Sequence, residues 1–326
     1  MQQKKPINRG EVSGHVVRLS YAIEEYQRYL ESQISIERIS GLKIICDYAH
    51  GAASQIGPNL LSAIHANASA LNNTPDGLNI NRNAGVMAPT QFEEYLKNNP
   101  CDFGISLDGD ADRVMIYHRN QYCDPNYILL MLYDIYRQKN NYQAGLVGTI
   151  MHNQGIVRYC HQENIPLVLT DVGDRNLIHT SRQYNYLLAG EPSGHYICMD
   201  RLPTADGLLI ALLLIEHLSQ KNDNMRDLNW YKSHVPLDLA YSCNIKHHSP
   251  KKLVMQDALQ AQISSIRAEH PDLKITVRGS GTEPLVRIHI EGQHALEELQ
   301  SVSNEVKYAI EHSPLWDKES FSSHIE

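Results

Sequence analysis

The sequence is short of the features that define several classes of protein. Its six cysteines are widely scattered among 326 residues without a C-x-x-C pair, which excludes a dense disulfide framework. No H-E-x-x-H or Cys/His spacing typical of zinc sites occurs. No apolar run has the length of a membrane span, and nothing at the amino terminus resembles a signal peptide. We therefore predict a reduced, cytoplasmic protein without a membrane partner.

Positive charge is also scarce. Lys and Arg number 29 against 37 Asp and Glu, which gives a formal net charge of −8. This balance argues against nucleic acid or an anionic membrane as the main partner. Any phosphate binding must therefore depend on a local group of residues.

Strand and helix patterns alternate along most of the chain, and its length fits two or three domains. An amphipathic helix is predicted at residues 15–34, with its apolar residues three and four apart. Residues 40–142 are expected to form an α/β domain with a largely parallel sheet, and residues 143–236 a second α/β domain. Residues 237–326 are typical of a smaller α+β domain, with one helix across residues 251–269.

The segment DGDADR carries three carboxylates at alternate positions, Asp108, Asp110 and Asp112, directly after a predicted strand. The small residues between them let the backbone curl, so that hard oxygen ligands can converge on one cation such as Mg²⁺. An ordinary turn between two strands has the same composition, and that alternative stays open. A calcium hand is less favoured because Arg119 stands at the twelfth position, where such a loop carries glutamate.

The segment AGEPSGHY places Glu191, Ser193 and His195 at alternate positions. On an extended segment these side chains would share one face and could bind a polyol. The alternative is a hairpin turn built on Pro192 and Gly194.

The segment VRGSGTEPLVRI combines a glycine-rich turn with two arginines, Arg278 and Arg287. Backbone N–H groups near Gly281, the hydroxyls of Ser280 and Thr282, and two guanidinium groups suit a phosphate monoester. It is not a Walker loop, because no GK[ST] follows. The alternative is a plain surface turn.

Taken together and in this order, DGDADR, GEPSGH and RGSGTEP resemble the metal, sugar and phosphate loops of the α-D-phosphohexomutase family. Further similarity lies in GLKIICDYAHGAA, PDGLNINRNAG, GLVGTIMHNQG and VGDR, and the GLNIN phrase favours the phosphoglucosamine branch over the phosphomannomutase and phosphoglucomutase branches. The resemblance implies two α/β phosphohexomutase-type domains followed by a smaller α+β C-terminal domain.

The resemblance also implies a role for each matching residue. Asp108, Asp110 and Asp112 would ligate Mg²⁺, and Arg113 would sit beside the reacting phosphate. Glu191 and Ser193 would hold sugar hydroxyls, with His195 nearby. The phosphate that is not transferred would be held by Arg278, Ser280, Gly281, Thr282 and Arg287. The implied reaction interconverts glucosamine 6-phosphate and glucosamine 1-phosphate.

One family feature is missing from the sequence. Members of the family begin with a further domain whose serine, in a segment like T-A-S-H-N-P, carries the phosphoryl group; the 326 residues contain no such segment. Residues 1–39 would then be the remnant helix of that domain. We expect a chain that is inactive alone and completed by a separate serine-bearing polypeptide, or else a non-catalytic phosphosugar-binding protein. Ser106 is a poor substitute nucleophile if Ile105 and Leu107 mark the core side of its strand.

Three local departures from the family pattern accompany this difference. Asp171 and Gly279 stand where lysine is common, and Pro125 and Asn126 replace a Gly-Asp pair. Each lysine replacement removes positive charge near an anionic substrate and so predicts weaker catalysis.

Overall fold

Three β-sheets follow one another along the part of the chain that the structure describes. The computed structural model describes residues 17–19, 21–140, 142, 144–220, 226–281, 283–314 and 316. Residues 1–16 lie outside the described residues, and they include the first two residues of the helix predicted at 15–34. Thr282 of the predicted phosphate loop also lies outside them. Among the described residues, no helix combines the length and apolar character needed to cross a membrane.

The first sheet has five strands in the order β2-β1-β3-β4-β5. Its region contains α1 Ala22–Glu31, α2 Ile36–Ile39, β1 Lys43–Asp47, α3 Ala53–Ala63, β2 Asn67–Leu71, a 3₁₀ turn Gly85–Met87, α4 Pro89–Asn98, β3 Phe103–Leu107, β4 Val114–His118, β5 Gln121–Tyr122 and α5 Pro125–Asn140.

The expectation of a largely parallel first sheet is wrong for half of it. Strand β1 pairs in parallel with β2 and β3, whereas β3–β4 and β4–β5 are antiparallel. The reason is the short connection between β3 and β4, because parallel neighbours need a long crossover and antiparallel neighbours do not. DGDADR is therefore the turn of a hairpin.

The second sheet has four strands in the order β7-β6-β8-β9, with only the last pair antiparallel. Its region contains β6 Leu146–Thr149, α6 Gln154–Gln162, β7 Leu167–Thr170, α7 Asp174–Tyr184, β8 Leu188–Gly190, β9 Tyr196–Cys198, α8 Gly207–Leu218 and α9 Leu228–His234. All 12 residues of α8 are buried. This helix packs against β3, β4 and α5, so the first two sheets share one hydrophobic core.

The third sheet is antiparallel, in the order β10-β12-β11, and has a core of its own. Its region contains β10 Leu239–Lys246, α10 Pro250–Val254, α11 Asp257–Glu269, β11 Lys274–Gly279, β12 Leu285–Gly292 and α12 Leu296–Glu311. Two α/β units followed by a smaller antiparallel α+β unit confirm the predicted fold class. The domain boundaries at residues 40, 143 and 237 stay predictions.

Two predicted helices differ from the structure. In place of one helix across residues 251–269 there are two, separated where Gln256 is extended. Six residues correspond to about 240° of rotation on one helix, and the break lets both Leu253 and Leu259 face the core of the third sheet, where both are buried. In place of a helix across residues 15–34, α1 begins at Ala22, and Val17–Leu19 is not helical.

Candidate functional site

The acidic loop, residues 108–113, brings its three carboxylates together. One oxygen from each of Asp108, Asp110 and Asp112 lies within 4.8 Å of the others. The turn is closed by a 3.1 Å hydrogen bond from Ala111 N to Asp108 O, with Ala111 at φ 63° in the left-handed region. Gly109 O accepts a hydrogen bond from Ala52 N at 2.7 Å, which fixes the outer side of the loop. The curl expected from the sequence is therefore present.

Burial and neighbouring charges give the three carboxylates different properties. Burial raises the pKa of Asp108 to about 6, and the nearby Asp112 and Asp110 act in the same direction against a hydrogen bond from Arg113 N. Burial also acts to raise the pKa of Asp112, but the hydrogen bond and charge of His195 hold it below its usual range. Arg113 Nε lies 3.3 Å from Asp108 Oδ2 and 4.0 Å from Asp112 Oδ1.

The acidic loop fits a magnesium ion by its donor set. All three side chains offer carboxylate oxygens, the ligand type that Mg²⁺ prefers. Asp112 Oδ1 is buried and has no hydrogen-bond partner among the described residues. A buried acceptor without a donor is costly, so a cation at this oxygen would stabilise it.

The GEPSGH loop, residues 190–195, is a turn rather than an extended segment. Glu191 N donates to His195 O at 2.9 Å, Gly194 N donates to Glu191 O at 3.1 Å, and Gly194 has φ 101°. The hairpin-turn alternative is therefore correct for the backbone. The three side chains still converge, because the turn brings Ser193 Oγ within 2.5 Å of Glu191 Oε1 and 3.3 Å of His195 Nδ1.

His195 connects the GEPSGH loop with the acidic loop. Its Nε2 lies 2.8 Å from Asp112 Oδ2 and its Nδ1 lies 3.4 Å from Glu191 Oε1. Burial acts to lower the pKa of His195, but hydrogen bonds to Asp112 and Glu191 outweigh it and raise the pKa to about 9. Burial acts to raise the pKa of Glu191, but hydrogen bonds from His195, Ser193 and Gly173 N lower it to about 2. At neutral pH an imidazolium thus lies between two carboxylates.

Backbone contacts hold the two loops and helix α8 together. Val114 N donates to Gly194 O at 3.1 Å, next to an antiparallel bridge between Arg113 and His195. Ala111 O accepts a hydrogen bond from Gly207 N, the first residue of α8, at 2.8 Å. The acidic loop is thereby fixed against the second sheet.

The RGSGTEP loop, residues 278–284, joins β11 to β12, and Arg278 at its start lies opposite Arg287 of β12. Arg278 and Arg287 are register partners across the two strands. Burial lowers the pKa of Arg278, and the nearby Arg287 adds to the effect. Arg287 forms an ion pair with Glu283, but its Nε is buried without a hydrogen-bond partner among the described residues. Two adjacent guanidinium groups with a free donor suit a bound anion.

Local packing in this loop accounts for one departure from the family pattern. A Cβ atom at Gly279 would lie 2.6 Å from the backbone N of Lys251, at the start of α10. A lysine side chain therefore does not fit here without a shift of α10. Ser280 is buried and its hydroxyl accepts a hydrogen bond from Glu283 N at 3.2 Å, whereas a Cβ at Gly281 would meet open space.

A cleft of about 520 Å³ lies between the second and third sheets. Of the residues predicted from the sequence, it is lined by Glu191, Ser193 and Arg278. The other predicted residues that the structure describes do not line this cleft, although His195 links Glu191 to the acidic loop. The cleft wall also contains polar residues that were not predicted: Asp124, Asn126, Asn153, Asp238, His289 and Glu291.

A pattern in β12 could have revealed two of the missed residues. Arg287, His289 and Glu291 are spaced by two, so they lie on the face opposite the buried Val286, Ile288 and Ile290. Extending the alternation beyond Arg287 would have added His289 and Glu291 to the site. Asp124 and Asn153 gave no comparable signal.

Hydrogen bonds at the rear of the cleft join the third sheet to the second. Arg158 Nη2 lies 2.5 Å from Asp238 Oδ1, and Lys274 Nζ donates to His152 O at 2.6 Å. Glu291 accepts a hydrogen bond from Gln154 N and lies 3.3 Å from Lys274 Nζ. The cleft is therefore bounded by a network of paired charges.

Profiles of known families match both α/β units. Residues 24–121 match the alpha/beta/alpha domain II of phosphoglucomutase/phosphomannomutase, and residues 124–233 match domain III. The chain belongs to the α-D-phosphohexomutase family. Motif resemblance, fold and profile matches agree on this assignment.

Two curated relatives of this phosphohexomutase chain are phosphoglucosamine mutases. Phosphoglucosamine mutase of Legionella pneumophila (strain Corby) is 32% identical over 285 residues, which cover 86% of this chain and 62% of the relative. Phosphoglucosamine mutase of Caldicellulosiruptor saccharolyticus is 34% identical over 277 residues, covering 83% and 61%. The chain thus spans less than two thirds of the length of these relatives.

Solved phosphohexomutase structures share the fold. A phosphoglucomutase/phosphomannomutase family protein from Burkholderia thailandensis matches with a TM-score of 0.69 at 21% identity, covering 89% of this chain and 64% of that one. N-acetylphosphoglucosamine mutase of Aspergillus fumigatus, solved with GlcNAc-6P and magnesium, matches with a TM-score of 0.69 at 18% identity, covering 88% and 70%. At these identities the likeness concerns the fold alone.

Proposed function

We propose that the cleft binds a hexosamine phosphate and that the chain is the metal-, sugar- and phosphate-binding part of a phosphoglucosamine mutase. The observation that carries the proposal is that Glu191 and Ser193 of one loop and Arg278 of another line the same cleft. Hydroxyl-binding and phosphate-binding groups thus face one space of a size suited to a small ligand. The names of the curated relatives support glucosamine 6-phosphate and glucosamine 1-phosphate as the pair that is interconverted.

Different residues of the site are proposed to bind different parts of the ligand. Arg278, Arg287, Ser280, Gly281 and Thr282 are proposed to hold the phosphate that is not transferred, and Glu191 and Ser193 the sugar hydroxyls. The carboxylate of Glu191 is ionised at neutral pH and can accept two such hydroxyls. His195 keeps Glu191 in place and connects it to Asp112.

The acidic loop is proposed to hold Mg²⁺ through Asp108, Asp110 and Asp112. Bound there, the ion would neutralise charge on a reacting phosphoryl group. Arg113, which lies beside Asp108 and Asp112, would offer its guanidinium to the same phosphoryl oxygens. The magnesium in the Aspergillus relative supports this choice of metal.

The proposed transfer needs a group that carries the phosphoryl moiety. Ser106 is fully buried in β3, whose five residues are all buried, so a substrate in the cleft does not reach it. Ile105 and Leu107 lie in the main core, but the opposite face of the strand is covered as well, so Ser106 is buried there. We therefore propose that residues 1–326 alone do not turn over the substrate, and that a serine-bearing domain completes the site.

The surface near α1 offers a place for such a domain. Val17, Leu19 and Ile23 are apolar and exposed, at 73%, 54% and 49%. If a serine-bearing domain restores turnover, Ile23→Glu should abolish the restoration without changing the binding of sugar phosphate to this chain.

The division of the chain into residues 1–39, 40–142, 143–236 and 237–326 is a proposal as well. The cytoplasmic location is also a proposal.

A non-catalytic phosphosugar-binding protein is the second candidate. The burial of Ser106 favours it, because the proposed sugar- and phosphate-binding residues are present while the only serine in the strand before the acidic loop is inaccessible. The two candidates share the binding site and differ in whether any partner restores turnover. A phosphomannomutase or phosphoglucomutase specificity is a further alternative within the same family.

Calorimetric titration with glucosamine 6-phosphate tests the proposed site. Arg278→Ala removes a charged donor from the cleft, so we expect the affinity to fall roughly tenfold to a hundredfold. Arg287→Ala should weaken binding as well, since it removes the neighbouring guanidinium. Arg182→Ala is the matched control, because Arg182 is exposed in the last turn of α7. Equal heats from the wild type and both cleft variants would show that the phosphate is held elsewhere.

A further inference from the structure

Among the described residues, three of the four carboxylates that line the cleft lie next to a cationic side chain and one does not. Glu191 lies 3.4 Å from His195 Nδ1, Asp238 is bound by Arg158, and Glu291 lies 3.3 Å from Lys274 Nζ. The fourth, Asp124, has no ion pair with any described residue. Among the described residues, only this cleft carboxylate lacks a cation.

Asp124 is held in position by its role at the start of a helix. It directly precedes Pro125, the first residue of α5, and its Oδ1 accepts hydrogen bonds from both the backbone N and Nδ2 of Asn126, each at 2.9 Å. No hydrogen bond of Oδ2 is found within the described part of the chain. One oxygen thus fixes the carboxylate while the other remains available at the cleft wall.

The same helix start is joined to the sugar-binding hairpin. Tyr196 directly follows the GEPSGH loop, and its hydroxyl donates to Pro125 O at 2.6 Å. The Asp124 carboxylate and the Glu191 and Ser193 side chains line the same cleft. A sugar held by Glu191 and Ser193 would bring its substituents close to Asp124.

We infer that Asp124 binds the ammonium group of an amino sugar phosphate and makes the cleft prefer it to sugars without a free amine. This rests on the proposed function. A bound ligand removes water from the carboxylate, and an ammonium group replaces that hydration with a charged hydrogen bond. A hydroxyl at the same place supplies a weaker bond, and an N-acyl group supplies no charge at all.

The inference predicts an order of affinities. The wild type should bind glucosamine 6-phosphate roughly tenfold more tightly than glucose 6-phosphate or N-acetylglucosamine 6-phosphate, since one charged hydrogen bond is gained. Asp124→Asn should remove this preference by weakening only the amino sugar. Asparagine caps helices as well as aspartate does, so the start of α5 is kept.

Asp227→Asn is the matched control. Asp227 caps α9 by accepting a 2.8 Å hydrogen bond from Trp230 N, and it does not line the cleft. The same change of charge at a similar cap should leave the preference of the wild type intact. Both variants are compared by calorimetric titration with the three sugar phosphates.

The outcomes separate this inference from the proposed function. Loss of the preference in Asp124→Asn alone supports the ammonium site. Equal affinity of the wild type for amino and hydroxyl sugars, or an equal loss for all three sugars in Asp124→Asn, overturns the inference and leaves the proposed function standing. If the wild type binds none of the three sugar phosphates, both the inference and the proposed function are overturned.

Discussion

Arg113 and His195 form an antiparallel backbone bridge that joins the acidic loop to the GEPSGH loop. The same histidine reaches Asp112 with Nε2 and Glu191 with Nδ1. A candidate metal ligand and a candidate sugar ligand therefore share one imidazolium group. The chemistry of the two loops cannot be changed independently.

Magnesium should bind weakly to the acidic loop. Arg113 and His195 already neutralise Asp108 and Asp112, so the ion must compete with two cations. We expect saturation only at millimolar Mg²⁺, with a stabilisation of about 1.4 kcal/mol at tenfold excess over the dissociation constant. Thermal unfolding with increasing Mg²⁺ measures this.

Asp110→Asn is the informative variant for this measurement. Asp110 is the exposed carboxylate of the loop, so its loss should remove the Mg²⁺-dependent stabilisation at little cost to folding. Asp227→Asn controls for the change in charge. Saturation at micromolar Mg²⁺ would contradict the view that the carboxylates are already neutralised.

Asn153 is expected to be important for stability. It is buried and accepts hydrogen bonds from Asp238 N and Gly155 N at 2.9 Å, while its Nδ2 donates to Asp238 O at 3.0 Å. Asn153→Ala would leave these backbone groups without partners. We expect the free energy of unfolding to fall by about 2 to 4 kcal/mol.

Chemical denaturation of Asn153→Ala and of Asn229→Ala checks this prediction. Asn229 is exposed on α9, so its replacement should change the free energy of unfolding by less than about 0.5 kcal/mol. Equal stability of the two variants would show that Asn153 does not join the second and third sheets.

His152 should make the protein less stable in mild acid. Complete burial lowers its pKa to about 4. The unfolded chain, with a histidine pKa near 6.5, binds the proton more readily than the native chain between pH 6.5 and 4. The contribution of His152 is thus fully present above pH 6.5 and lost as the pH falls, by on the order of 3 kcal/mol.

Denaturation midpoints measured at a series of pH values test this window. His152→Asn keeps an acceptor for Thr149 N, which bonds to His152 Nδ1 at 3.1 Å, and cannot take up a proton. Its free energy of unfolding should fall less than that of the wild type between pH 6.5 and 4. His161→Asn, at an exposed position of α6, should follow the wild type. Parallel curves for wild type and His152→Asn would exclude this role.

The sequence was sufficient where local pattern and local chemistry agree. Alternating acids after an apolar strand predicted the acidic loop, and its three carboxylates do converge. Glu191 and Ser193 were predicted to share a face of an extended segment, and they meet by a turn instead. The residue types were informative because the chemistry requires them. The backbone that brings them together is a turn and not the extended segment that was expected.

The features that were not predictable depend on distant parts of the chain. Strand β2, with the sequence NASAL, is mostly exposed and has no β-branched or aromatic residue; only pairing with β1 makes it a strand. Asp124 and Asn153 read as ordinary helix caps, and they become cleft residues only because the third sheet packs opposite them. Such residues can be recognised from packing between units but not from spacing along the sequence.

The rate at which the purified chain forms glucosamine 1-phosphate from glucosamine 6-phosphate tests the central claim most directly. That claim is that these residues hold a phosphosugar and a metal ion but supply no carrier for the phosphoryl group, which such a transfer requires. The assay couples product formation to a detectable reaction, with Mg²⁺ and a hexose bisphosphate activator present. We predict no turnover by a chain that binds the substrate in calorimetry. Robust turnover by the chain alone would contradict the account, because it would reveal a nucleophile among the residues assigned here to binding.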